Sequence, residues 1–166
     1  MKNQLIFVLL IMIVAIQPAF AGQDDQAELL KTFVELDNTL FEESFNKCRD
    51  EVLPPLISDD FEFYHDVAGI QNRTEFLNAI KANICSNMDR KPIRKLVAGS
   101  MEVFPLKKDN VLYGVIQRGV HEFYIKEPNK EIYITGIAKF THLWLLKDKQ
   151  WQLKRVLSFD HQPVSR

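Results

Sequence analysis

The chain has no basic block: 21 Lys and Arg stand against 22 Asp and Glu, leaving a formal net charge of -1. That removes the electrostatic footprint that nucleic acid or an anionic membrane surface requires, so neither is an expected partner. The sequence also lacks a serine nucleophile elbow, a phosphate-cradling glycine loop and a dinucleotide fingerprint, and no cofactor is expected. Histidine is scarce, four in 166 residues, and no pair has the close helical or strand spacing of a dedicated metal site, so no metal is expected. There are no repeats, low-complexity tracts or linkers. What remains is a chain that is 46% hydrophobic and long enough for one domain with a sizeable core.

Only one apolar run is long. Leu5 to Ile16 follows the positive start at Lys2 and precedes Ala19-Phe20-Ala21, a small-x-small cleavage site. The run is far shorter than the roughly 20 residues needed to span a bilayer, so residues 1–21 read as a signal peptide cleaved after Ala21, with a membrane anchor as the alternative. The expected product is periplasmic or secreted, not membrane-associated after cleavage, with residues 22–166 as a single domain. No Cys follows the cleavage site to take a lipid. In an oxidising compartment Cys48 and Cys85 are expected to pair, worth on the order of 4 kcal/mol in the chain-entropy view; two buried apolar thiols are the alternative.

Helical spacing of Leu29, Phe33, Leu36 and Leu40, widened by Phe41 and Phe45, predicts a first amphipathic helix from about Asp25 to near Cys48. A short helix at Arg49 to Val52 stops at Pro54-Pro55, and Phe61-Glu62-Phe63-Tyr64 reads as a strand before a turn at Gly69. Asn72 with Glu75 predicts a capped third helix running to about Cys85. From Arg94 the period becomes two, with strands near 95–104, 111–126, 131–146 and 150–159, and turns at 105–110, 127–130 and 147–149. Helices first and a meander afterwards is an α+β pattern, with helices covering one face of the sheet.

This order, the terminal hairpin Phe140 to Leu157 and the segment Phe61-Glu62-Phe63-Tyr64-His65-Asp66 resemble the nuclear transport factor 2-like (NTF2-like, SnoaL-like) superfamily over about residues 26 to 161. Phe45-Asn46-Lys47-Cys48, Asn83-Ile84-Cys85 and Gly119-Val120-His121-Glu122-Phe123-Tyr124 are similar to its exported DUF4440 branch. The resemblance implies a cone: a strongly curved mixed or antiparallel sheet wrapping three helices around a cavity open at one end, commonly in a homodimer. It also puts Asp66 where ketosteroid isomerases carry their catalytic base, and Phe41 where they carry an oxyanion-binding Tyr, so that donor is missing here.

Asp66 beside His65 is a candidate base for taking a proton next to a carbonyl, or else a turn residue bonded to backbone N–H groups. Strand alternation puts Phe140, His142 and Trp144 on one face, and His121 with Phe123 on one face of the preceding strand. If those faces line the cone, His121 and His142 are candidates to stabilise an enolate-like oxygen. Tyr64, Tyr124 and Arg155 are candidate ligand anchors. Asp160-His161 reaches the cone mouth or frays. The expectation is a protein that holds a small apolar or carbonyl-bearing molecule, with a cofactor-free isomerase, cyclase or lyase using Asp66 as the alternative.

Overall fold

The computed structural model describes residues 21–164, so the expected signal peptide lies outside the described residues. Helix α1 (Ala21–Asp37) continues without a break into a wider π-helical stretch, Asn38–Asn46. Two short 3-10 turns, Asp50–Val52 and Pro54–Leu56, lead into β1 (Ile57–His65) and β2 (Gly69–Asn72). The predicted capping box is present: Asn72 Oδ1 accepts from the Glu75 N–H, and Glu75 Oε2 accepts from the Asn72 N–H. It opens α2 (Arg73–Ala79), which also ends in a π-helical turn, Ile80–Ile84.

The remaining strands are β3 (Lys91–Leu96), β4 (Glu102–Lys108), β5 (Val111–Lys126), β6 (Tyr133–Lys147) and β7 (Gln150–Pro163). They form one sheet in the order β2-β1-β7-β6-β5-β3, with β4 also paired to β5. β1 runs parallel to β7, and every other pair is antiparallel. The chain therefore has the expected α+β architecture, a curved mixed sheet around its helices.

Two expectations need correction. The single strand over 95–104 is two strands, because β4 follows the first half of the long β5 and β3 its second half. Between them the chain breaks at Gly99 (φ 75°), and the Ser100 hydroxyl bonds to both the N–H and the C=O of Val120. The predicted turn at 105–110 contracts to Asp109-Asn110, both at positive φ, as a two-residue hairpin requires. Pro105 sits inside β4, an edge strand where a missing N–H is tolerated.

The core gathers Phe33, Leu53, Phe61, Trp144 and Leu153, all nearly inaccessible. Phe33 meets Trp144 edge to face at 5.8 Å. Cys48 and Cys85 form a disulfide with Cα atoms 5.7 Å apart, joining the ends of the two helical arms. Intact mass with and without reductant should differ by two hydrogens, and finding two free thiols in the unreduced protein would remove this staple.

Candidate functional site

Between the helical arms and the inner face of the sheet lies a cavity of about 270 Å³. Phe41, Phe45, Phe63, Phe76, Ile80 and Phe123 give it an apolar wall. The π-helical widening at Asn38–Asn46 and Ile80–Ile84 supplies part of that wall, including Phe41, Phe45 and Ile80. A Cβ at position 119 would stand 2.8 Å from the Phe140 ring, so glycine there lets that ring lie close against β5.

Of the residues singled out from sequence, Phe41, His65, His121 and His142 line this cavity. Four others do not. Tyr64 points the other way from Phe63 and His65, as strand alternation demands, and its hydroxyl donates to Glu62. Tyr124 likewise lies across the strand from Phe123 and donates to Glu122. Arg155 pairs with Glu62 at 2.8 Å on the outer side. Trp144 shares the face of Phe140 and His142 but lies further along β6 in the core, fully buried.

Two imidazoles in the wall are held neutral and in fixed tautomers. The indole Nε1–H of Trp144 donates to Gln117 Oε1 at 2.8 Å, which identifies that atom as the amide oxygen. His142 Nδ1 lies 3.0 Å from the same oxygen and must therefore carry the proton, leaving Nε2 as the lone-pair nitrogen. Burial, with the Arg94 charge adding to it, pushes His142 down to about 3. His121 shows the opposite tautomer: Arg94 Nε can only donate, so His121 Nδ1 accepts at 3.3 Å and the proton sits on Nε2. Burial and then Arg94 drive His121 down to about 2. Its Nε2–H is buried and has no hydrogen-bond partner among the described residues, an unspent donor in the cavity wall.

Arg94 is itself fixed. It makes a bidentate pair with Asp37 at 2.6 and 2.9 Å, and its guanidinium lies 3.8 Å from the Phe41 ring centre. Sequence reasoning missed Asp37, Arg94 and Gln117. All three lie on predicted elements, but their partners are far away in the chain.

Asp66 does not face the cavity as a free base. Its Oδ1 accepts from His161 Nδ1 at 2.5 Å and its Oδ2 from the His161 backbone N–H at 3.2 Å. Desolvation raises this carboxyl, but the hydrogen bonds from the His161 backbone and ring outweigh it and hold it below its usual range. With its proton on Nδ1, His161 turns Nε2 toward the Ser158 hydroxyl, 3.3 Å away, and Ser158 lines the cavity. A bulge makes this possible. Asp160 takes φ 58°, and β7 gains one residue on β6 between Phe159 and Gln162. The parity of the strand is thereby reset, so that His161 reaches the same side as Ser158.

His65, Asp66 and His161 present ligating atoms within 4.8 Å of one another. However, His65 Nδ1, although 3.4 Å from Asp66 Oδ1, accepts from the N–H groups of Val67 and Ala68, both at 3.1 Å. Those two donors occupy its lone pair and mark the ring as neutral, with its proton on Nε2. Burial lowers the His65 pKa in the same direction. The cluster fits a hydrogen-bonded relay better than a cation.

No family's sequence profile matches the chain, and no curated protein matches it. Solved structures do. The association domain of C. elegans CaMKII superposes with a TM-score of 0.62 at 14% identity, over 81% of this chain and 98% of that one. A nuclear transport factor 2-like superfamily protein from Salmonella enterica gives 0.61 at 12% identity, over 84% and 94%. A hexachlorocyclohexane dehydrochlorinase from Novosphingobium barchaimii gives 0.55 at 12% identity, over 87% and 92%. At these identities the likeness defines the fold alone: the chain has the nuclear transport factor 2-like cone. That fold hosts an enzyme and a kinase association domain among these neighbours, so the activity must be argued from the site.

Proposed function

We propose that the protein is exported and binds a small, largely apolar molecule in the cone cavity. The observation that carries this reading is the cavity itself: aromatic and aliphatic walls interrupted by a few oriented polar atoms, the usual makeup of a small-molecule pocket. Export rests on the apolar run at Leu5 to Ile16 with its cleavage site, and the disulfide suits an oxidising compartment. Among the described residues no helix is long and apolar enough to cross a membrane. Homodimerisation and placement in the DUF4440 branch rest on the sequence resemblance.

Native mass spectrometry of the mature protein, purified gently from its exported compartment, tests the reading through a retained small molecule and the subunit count. An apolar fluorescent probe supplies the second arm. It should bind and raise the unfolding midpoint, and Ala79→Phe, which adds a ring to the cavity wall, should weaken it at least tenfold. No retained ligand and no probe binding would sink the proposal.

A second reading is cofactor-free proton-transfer chemistry. The favouring observation is the Asp66–His161 pair, which moves the base from Asp66 to His161 Nε2 and leaves Asp66 to orient it.

A further inference from the structure

We propose that Ser158 is a nucleophile, and that the protein transfers the acyl group of small, apolar esters through Ser158, His161 and Asp66. The inference rests on the reading that the cavity admits such a ligand. Three observations carry it. The first is a continuous chain of contacts: Asp66 holds the proton on His161 Nδ1, and His161 Nε2 faces Ser158 Oγ. This is the arrangement that lets a neutral imidazole remove a hydroxyl proton.

The second is placement. Ser158 is only 5% exposed, and it borders the apolar cavity instead of bulk water. An acyl chain lying among Phe63, Phe76 and Phe123 would be delivered to that hydroxyl. The third is a donor for the charge that develops on the carbonyl oxygen. His65 and Ser158 are direct Cα partners on the parallel strands β1 and β7, so their side chains emerge side by side. The His65 ring lines the cavity and stacks on His161 at 4.2 Å. Because its Nδ1 already accepts from Val67 and Ala68, its Nε2 carries the N–H that an oxyanion needs. The bulge at Asp160 is the local feature that assembles the unit, since regular alternation would send His161 to the other face.

The step balances with water as its co-reactant. Ser158 Oγ attacks the ester carbon and forms the Oγ–C bond, while its proton passes to His161 Nε2. The tetrahedral oxygen takes a hydrogen bond from His65. Collapse breaks the bond between the carbon and the alcohol oxygen, and the departing alkoxide takes the proton from His161. Water, activated by the same nitrogen, then releases the acid and restores the hydroxyl.

A small alkyl fluorophosphonate and 4-nitrophenyl butyrate test this on the full mature chain. The fluorophosphonate should add one phosphonyl group, mapped by peptide mass to Ser158, and the ester should be hydrolysed. Ser158→Ala should abolish both while keeping a cooperative unfolding transition. His161→Gln should slow labelling at least a hundredfold, the usual scale for loss of a positioned base. Asp66→Asn should slow labelling and shift its pH profile, as expected of a residue that acts through His161. Tyr64→Phe, on the outer face, should label at the unaltered rate. Absence of an adduct in protein that still binds the apolar probe would overturn the nucleophile and leave the binding reading intact. Labelling undiminished in His161→Gln would overturn the relay. Failure of both labelling and probe binding would overturn both readings.

Discussion

Asp37→Ala is expected to lower the free energy of unfolding by about 3–5 kcal/mol, the scale seen when one partner of a buried ion pair is removed. Asp37 and Arg94 are 5% and 3% exposed, and their two hydrogen bonds, with the one from Arg94 Nε to His121, use three of the guanidinium's five N–H donors. Burial pulls both toward neutrality, raising Asp37 and lowering Arg94, against their mutual attraction. An arginine stripped of its carboxylate cannot escape by losing its proton, so the variant keeps an uncompensated charge beside Phe41. Urea unfolding measures the loss. Replacing both partners, as Asp37→Leu with Arg94→Met, should recover much of it, because the cost lies in the orphaned charge more than in the missing attraction. A single variant within about 1 kcal/mol of the parent would show that water reaches Arg94.

Acid should destabilise the fold well before the carboxylates titrate. In the unfolded chain His121 and His142 take up a proton as pH falls through about 6.5, whereas in the folded chain they stay neutral down to about 2 and about 3. Between about pH 3 and 6.5 the unfolded state therefore binds more protons, and stability falls as pH falls, by about 1.4 kcal/mol per pH unit for each ring. From pH 7.5 to pH 5 the two together should remove about 4 kcal/mol, read from urea midpoints at the two pH values. His121→Asn should roughly halve the dependence. A flat profile in the parent would mean that the rings are charged in the folded protein and the cavity is wet.

Much of the architecture could be read from residue order. The capping pair at Asn72 and Glu75, the 16-residue strand Val111–Lys126 and the positions of Phe140, His142 and Trp144 all follow from local periodicity. Periodicity of two also set His121 on the face of Phe123 and His142 on that of Phe140, but left open which faces turn toward the cavity. The same rule should have set Tyr64 apart from His65, since neighbours on a strand cannot share a face. Their hydroxyl and guanidinium chemistry drew Tyr64, Tyr124 and Arg155 into the site, where parity excluded the tyrosines. Other parts had no local signal. Asp37 meets Arg94 across 57 positions of sequence. Ser158 and His161 fall on opposite faces by simple counting, and the extra residue with positive φ at Asp160 that reunites them shows only in the pairing of β7 with β6.

The disulfide gives the cavity two walls of different construction. Residues 48 to 85 form a covalently closed ring that contains β1, β2 and α2, and with them His65 and Asp66. The adjoining wall is the rest of the sheet, and His161 lies on β7, the strand paired directly with β1, three residues beyond the Ser158 that lines the cavity. The contact between Asp66 and His161 is thus a clasp, where the last strand fastens onto a locked hoop. Reduction of the Cys48–Cys85 bond would open that hoop and leave the clasp to the pairing of β1 with β7 alone.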